Sequence, residues 1–400
     1  MAVRRFVADR RWRKTGNLAL TAAVAAGSLL VGASPPPTAQ AQDAVESSSP
    51  VLTVASGVAE HSESLRTASG RQRTQVLTVD LTNPNVRIGV VEAGNRITDP
   101  ADETVSSMAN RTHAVAGVNG DYFEIHASGR PLGGVITDGV VLKSPRGAYN
   151  AQLAVRPDGS AVIGPETYTG VVTDGASSTP LASLNVVGDA AAGRITRITS
   201  ALGATGKLAS PATLVTGHLD EDYLMVDAIA PSVTSVPALP ASTEGLLAGG
   251  AGGKWLQTNV HPGEPLEVAE QISPDNQLNQ LLSGATMLVR GGAVYRDPRG
   301  TPPRGVNPET AVGLTEDGRH LIMVTFDGRL NKKVAAGVTP AEVGTYLVQH
   351  GAYSGLLLDG GGSTEMVARR PGKSWVSVLN TPSDRKERPV ANGLFVYTTH

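Results

Sequence analysis

Cysteine is absent from all 400 residues, which excludes disulfides, thiol catalysis and thiolate metal sites. Histidine is sparse and scattered: the eight copies include no His-x-x-x-His pair, which argues against a zinc hydrolase. Aromatic residues make up only 4%, so Val, Leu, Ala and Ile must fill whatever core the 40% hydrophobic fraction builds. No excess of one charge exists either. A formal net charge of −2 gives no overall pull toward nucleic acid or anionic membrane. There is no Gly-x-Ser-x-Gly elbow, which disfavours an α/β-hydrolase, and no glycine run is followed by Gly-Lys-Ser/Thr, so the P-loop pattern is missing.

A long apolar run is lacking as well. The uncharged stretch from Asn17 to Ala33 is short of the roughly 20 residues that span a bilayer, and Gly27, Ser28 and Gly32 dilute it. It follows a basic start (Arg4, Arg5, Arg10, Arg11, Arg13, Lys14) and precedes the small-x-small site Ala39-Gln40-Ala41. Residues 1–41 therefore read as a secretory signal cleaved before Gln42, with a single membrane anchor as the disfavoured alternative. The expected product is secreted and extracellular, with no stable membrane span after cleavage. The twin arginines admit a folded-export route.

The length suits two to three domains, or one large β-rich domain. Residues 42–50, ending in Ser47-Ser48-Ser49-Pro50, read as a linker. Beyond it, short Val/Leu/Ile runs punctuated by Gly, Pro, Asn and Asp predict an α+β fold: mixed, largely antiparallel β-sheets with a few packed helices. Val76–Leu81 and Val86–Val91 are expected to form a hairpin across Thr82–Asn85. Asp138-Gly139 and Asp317-Gly318 are expected to close two more. Thr339-Pro340-Ala341-Glu342 supplies N-cap, first-turn proline and capping box for a helix ended by Gly351. Residues 151–280 read as a β-rich segment in which Ala248–Gly253 is a flexible loop.

What the chain does have is one conspicuous stretch, Ser354-Gly355-Leu356-Leu357-Leu358-Asp359-Gly360-Gly361-Gly362-Ser363-Thr364-Glu365. A buried-strand run ends on a carboxylate and three glycines. Successive glycines lose the most backbone entropy on folding, so they belong where backbone turns sharply or approaches another group. Consecutive N–H groups in such a turn make a concave anion site. Asn119-Gly120-Asp121 repeats this grammar after the strand Ala114–Val118, and Asp327-Gly328-Arg329 ends another strand. Paired carboxylates suit glycosidic or phosphodiester cleavage, one as acid or base and the other steadying positive charge at a sugar carbon. Arg388 lies in a charged loop between Asn380 and Asn392, which reads either as solvated or as facing substrate.

Together these segments resemble the phosphodiester glycosidase family from about Val51 to the C-terminus. The resemblance rests on Gly117-Val118-Asn119-Gly120-Asp121-Tyr122-Phe123, Thr310-Ala311-Val312-Gly313, Asp327-Gly328-Arg329, Leu358-Asp359-Gly360-Gly361-Gly362-Ser363-Thr364 and the Asn380…Glu387-Arg388 loop. It makes residues 51–400 one such domain with a divergent segment at about 151–280. It implies a secreted hydrolase that cleaves a sugar-1-phosphodiester in glycan or cell-envelope material. Asp359, Asp327 and Asp121 would be the catalytic acids, Asp121 with Asn119 also meeting sugar hydroxyls. Substrate would be bound by Asn119, Gly120, Thr310, Arg329, Gly360, Gly361, Gly362, Ser363, Thr364 and Arg388. The family's usual Pro-Arg-Thr stands here as Pro308-Glu309-Thr310, an acid in place of a base, which bears on phosphate handling.

The expected partner is a carbohydrate or phosphoglycan, not nucleic acid. No cofactor is demanded by the spacing, although Asp121, Asp327, Asp359 and Glu365 form an oxygen-rich set that suits magnesium or calcium. Two other readings stay open: a phosphodiesterase or glycosidase acting on cell-wall polymer, and an exported polysaccharide-binding protein without turnover.

Overall fold

A computed structural model describes residues 44–98, 101–145, 151–175, 177–221, 223–296, 305–331 and 333–399. The expected signal segment, residues 1–41, lies outside them. Among the described residues four β-structures carry the fold: a nine-stranded sheet, two five-stranded sheets and a closed seven-stranded barrel. The helices among the described residues are α1 (Val105–Thr112), α2 (Val187–Ala191), α3 (Gly250–Asn259) and α4 (Pro340–Gln349). The fold is α+β and β-rich.

The nine-stranded sheet places Gly70–Asp80, His320–Phe326, Glu309–Leu314 and Ser354–Leu357 side by side, all antiparallel. One five-stranded sheet orders Val376–Val378, Met366–Arg369, Ala116–Asn119, Asn392–Thr398 and Val86–Glu92. Alternation along these strands sends Leu77, Val79, Val312, Met323 and Leu356 from the first sheet, and Ile88, Val90, Val118, Met366 and Leu394 from the second, into one core. The second five-stranded sheet, Gln152–Val155 with Gln280–Ser283 and their neighbours, adds Leu153, Val155 and Leu282 to it. Each fully buried Val, Leu or Ile contributes about 1.5–3 kcal/mol. The outer face of the large sheet is covered by α4 through Val343, Tyr346 and Leu347. The α1 residues Val105, Met108 and Ala109 cover the other sheet.

Local chemistry explains the turns. Asp138 (φ 50) and Gly139 (φ 80) make the left-handed pair of a tight hairpin between Val135–Thr137 and Val140–Lys143. The α4 start shows both halves of its capping box: Glu342 N–H donates to Thr339 Oγ1, and Thr339 N–H donates to the Glu342 carboxylate. Gly351 follows at φ 85.

Three expectations are corrected. Gly70–Asp80 and Val86–Glu92 are strands but not a hairpin; the 82–85 turn carries the chain from one sheet to another. Asp80 accepts the Thr82 N–H and hydroxyl there, fixing a corner of the sandwich instead of a reversal within one sheet. Part of the 42–50 linker, Ala44–Ser48, is an edge strand on Val58–Thr67, held by Glu46 against Arg66 and Arg71. The Ala248–Gly253 stretch is not a loop, since α3 begins at Gly250. Its glycines serve close approach: a Cβ on Gly253 would meet Ala248 O at 2.7 Å, and one on Gly252 would meet Gly193 O at 2.9 Å. That helix packs on the barrel strands Ala212–Asp220 and Glu244–Ala248, beside the Leu246, Leu256 and Leu266 core.

Candidate active site

The site forms where two sheets are tied together at their ends. Ala116–Asn119 of the smaller sheet and Ser354–Leu357 of the large one run out toward the same place. There the Asn119 amide nitrogen donates to the Asp359 carbonyl at 2.8 Å, and the Asp359 N–H donates to the Gly120 carbonyl at 2.9 Å. Asn119 Oδ1 accepts from the Thr310 hydroxyl at 2.7 Å and from the Glu365 N–H at 3.1 Å. Asn119 and Thr310 are fully buried, so they stand behind the site and brace its backbone.

In front of them is a hollow of about 230 Å³ lined by Tyr122, Asn307, Glu309, Arg329, Asp359, Gly360, Gly361, Gly362 and Arg388. Each glycine of the triple run makes room for a different charged neighbour. A Cβ on Gly360 would collide with the Glu309 carboxylate, one on Gly361 would crowd the Arg329 guanidinium, and one on Gly362 would collide with Arg388 and Asp384. Gly361 also needs its positive φ of 65. The amides are less open than the sequence suggests. Gly360 N–H donates to Asp359 Oδ1 at 2.9 Å and Gly361 N–H to Pro308 O at 2.8 Å, so positive charge in the hollow comes from Arg329 and Arg388. Arg329 donates to Asn307 Oδ1 at 2.8 Å, and Arg388 pairs with Asp384 at 2.6 Å.

The remaining expected residues lie beneath this surface. Asp121 is buried, accepting the Tyr122 N–H at 2.8 Å and the Gly133 N–H at 2.6 Å. Burial pushes its carboxyl up to about 7, with the Asp359 charge adding and Gly133 N–H and the nearby Lys143 ammonium opposing. Gly120 packs on Asn392, whose side chain accepts the Asp121 N–H at 2.9 Å and donates to Glu92 at 3.0 Å. Glu92 is itself pushed up to about 8 by burial. Asp327 is buried away from the hollow, accepting the Thr381 N–H at 2.9 Å; burial raises its carboxyl above the usual range. Ser363 and Thr364 are buried too, and their hydroxyl oxygens have no hydrogen-bond partner.

The structure thus brings Asp359, Arg329, the three glycines and Arg388 into one hollow, with Asn119, Gly120, Thr310 and Asp121 as its backing. It sets Asp327, Ser363 and Thr364 outside that lining. Sequence reasoning missed Asn307, Glu92 and Lys143, and it held Tyr122 only as part of the 117–123 motif and Asn392 only as a neighbour of the Arg388 loop. Asn307 carries no pattern of its own beside Pro308, and Glu92 and Lys143 look like ordinary strand-end charges.

The oxygen-rich set Asp121, Asp327, Asp359 and Glu365 is not gathered into one cluster. Each Asp121 oxygen accepts one N–H, Asp327 Oδ1 accepts the Thr381 N–H, and Asp327 Oδ2 and Glu365 Oε1 are buried without a hydrogen-bond partner. Among the described residues no group of three or more His, Asp or Glu is placed to hold a metal.

Residues 237–397 match the family model described as phosphodiester glycosidase. No curated protein matches. Among solved structures, a hypothetical protein from Synechocystis superposes with a TM-score of 0.72 at 18% identity, covering 88% of this chain and 64% of that one. This chain therefore spans less than two thirds of that protein. A protein of Burkholderia pseudomallei K96243, named for its inferred export, gives 0.69 at 20% identity over 88% of this chain and 96% of its own. These two likenesses show a shared fold. The zebrafish N-acetylglucosamine-1-phosphodiester alpha-N-acetylglucosaminidase catalytic domain gives 0.47 at 16% identity over 90% and 89% of the two chains. The resemblance read from the sequence is shown: residues 237–397, which contain Arg329, Asp359, the triple glycine and Arg388, carry the match to the phosphodiester glycosidase family.

Proposed function

We propose that this chain is a secreted hydrolase that cleaves a sugar-1-phosphodiester. The observation that supports the reading is that Asp359 lines one hollow with two guanidiniums, Arg329 and Arg388, and the triple-glycine turn. A phosphodiester brings one negative charge, and guanidiniums suit its oxygens in fixed geometry. A phosphate leaving group needs little protonation, so electrostatics matter more than a strong acid. Water attacks the anomeric carbon, the bond from that carbon to the phosphate oxygen breaks, and the phosphate monoester keeps the oxygen and the electron pair. Asp359 takes the water proton or steadies the positive charge at the sugar carbon. Asp121, buried behind Asp359, is the second acid. Asn119 and Thr310 hold the Asp359 backbone, and Asp327 anchors Thr381 at the root of the Arg388 loop.

Glu309 favours a second reading, an exported glycan-binding protein or an enzyme of different specificity. It brings a carboxylate into the same hollow, against Gly360. Repulsion between that acid and an anionic diester weakens binding unless the two arginines outweigh it. An activated sugar-1-phosphodiester separates the readings. Turnover that falls at least about 100-fold in D359N supports hydrolysis at this site. Stoichiometric binding without product supports the second.

A further inference from the structure

The two guanidiniums of the hollow are held by different chemistry. Arg388 gives its Nε at 2.9 Å and its Nη2 at 2.6 Å to the Asp384 carboxylate, and the pair sits against Gly362. A carboxylate in contact cancels most of the charge that this arginine shows to a ligand. Arg329 is held by a neutral amide instead: its Nη2 donates to Asn307 Oδ1 at 2.8 Å. An amide oxygen orients a guanidinium and leaves its charge in place. The guanidinium faces Gly361, with Nη1, Nη2 and Cζ at 3.1, 3.2 and 3.4 Å from where a Cβ would stand. Asn307 is itself clamped. Its N–H donates to Val338 O at 3.1 Å, its carbonyl accepts the Val338 N–H at 2.8 Å, and its Nδ2 donates to Gly305 O at 3.0 Å. Gly337 and Gly328 pack on its backbone, since a Cβ on them would meet the Asn307 carbonyl carbon at 2.7 and 3.1 Å. Arg329 follows Gly328 at φ 56, a left-handed conformation that arginine rarely adopts, so both ends of the contact are fixed by the backbone.

We propose that the hollow is a single-charge site, built to accept a monoanionic phosphodiester and to disfavour a dianionic phosphate monoester. Arg329 supplies the charge that the ligand meets, Asn307 is its positioning residue, and Asp384 sets the specificity by cancelling Arg388. The inference rests on the reading of the hollow as a phosphodiester site and adds a charge selectivity to it. Arg388 still offers N–H donors, but its charge is already matched. Asp359 and Glu309 bring carboxylates to the same lining, so a second negative charge on the ligand meets repulsion and no further cation. The selectivity serves the proposed reaction. Cleavage converts a diester with one charge into a monoester whose second proton leaves at about pH 6, and a hollow that disfavours the second charge releases that product.

Calorimetric titration of the intact chain at low salt, above the second titration of the monoester, tests this with two probes. Dimethyl phosphate carries one charge and methyl phosphate carries two. The wild type should bind dimethyl phosphate more tightly. Asp384→Asn should tighten methyl phosphate on the order of tenfold, and dimethyl phosphate by less, because Arg388 becomes a second unmatched cation. Asn307→Asp, which pairs Arg329 as Asp384 pairs Arg388, should weaken dimethyl phosphate on the order of tenfold. Asn307→Ala keeps the charge and loses only its holder, so it should weaken that probe less than Asn307→Asp does. A merely structural role for these residues predicts weaker binding in Asp384→Asn and Asn307→Asp alike. That outcome would overturn the proposal, as would equal affinities in all four proteins, a wild type that prefers methyl phosphate, or one that binds neither probe. If Asn307→Asp fails to fold, the Asp384→Asn shift decides alone. Hydrolysis of an activated sugar-1-phosphodiester, followed in the same proteins, separates the two claims. Turnover without the charge selectivity removes only this inference, and the selectivity without turnover removes only the hydrolase reading.

Discussion

Asn119 and Asp359 bind each other's chain across two sheets: the Asn119 side chain holds the Asp359 carbonyl, and the Asp359 N–H holds the carbonyl of Gly120. Asn119→Ala leaves the Thr310 hydroxyl, the Glu365 N–H and the Asp359 carbonyl without their partner. Each buried group left unpaired costs about 1–3 kcal/mol, so the urea midpoint should fall clearly. An unchanged midpoint would mean the tie contributes nothing.

The triple glycine is a packing requirement as well as a turn. In Gly362→Ala the new methyl occupies the place of the Arg388 guanidinium. A displaced guanidinium should weaken binding of an anionic substrate, raising KM about 10–100-fold, the loss of one charged hydrogen bond. Gly188→Ala is the control, because a Cβ there meets nothing within 4 Å. Equal KM in both variants would remove Arg388 from substrate binding.

The buried acids set a pH dependence with a definite sign. Glu92 rises from 4.5 to about 8 and Asp121 from 3.8 to about 7, both through burial first. The unfolded chain releases these protons before the folded one does. Their stabilisation is therefore complete below pH 4 and is lost as pH rises through about 7 and 8. Chemical denaturation from pH 5 to 9 should show stability falling by up to about 1.4 kcal/mol per pH unit for each proton. Glu92→Gln should show a shallower fall. Stability that rises with pH over this range would contradict the burial of these groups as acids.

Chelation is a further check. Among the described residues Asp121, Asp327 and Asp359 do not form a group placed to hold a metal, so excess EDTA should change neither the melting temperature nor any hydrolysis. A loss restored by magnesium or calcium would show that a cation does bind.

Local chemistry was legible in the sequence and distant partnership was not. The α4 capping box and the Asp138-Gly139 and Asp317-Gly318 hairpins follow from turn residues alone, and the structure shows them. The 82–85 turn looks like a hairpin because its residues fix a turn but not which sheet the next strand joins. The Ala248–Gly253 glycines resemble a loop because their neighbour, Gly193, is far away in sequence. The same limit shaped the site. Asp359 and its glycines stand out in one stretch, whereas the roles of Asn392, Glu92 and Lys143 arise only when strands from both ends of the chain meet. Asp327 has the sequence grammar of a site acid, yet its carboxylate turns to Thr381.

The most direct measurement combines Asp359→Asn, Arg329→Ala and Arg388→Ala with turnover of an activated sugar-1-phosphodiester in oxygen-18 water. The account predicts heavy oxygen on the sugar for the wild type. It also predicts that the first variant loses at least about 100-fold in kcat/KM and that each arginine variant loses about 10–100-fold. Heavy oxygen on phosphate, or full turnover in all three variants with folding intact, would contradict it.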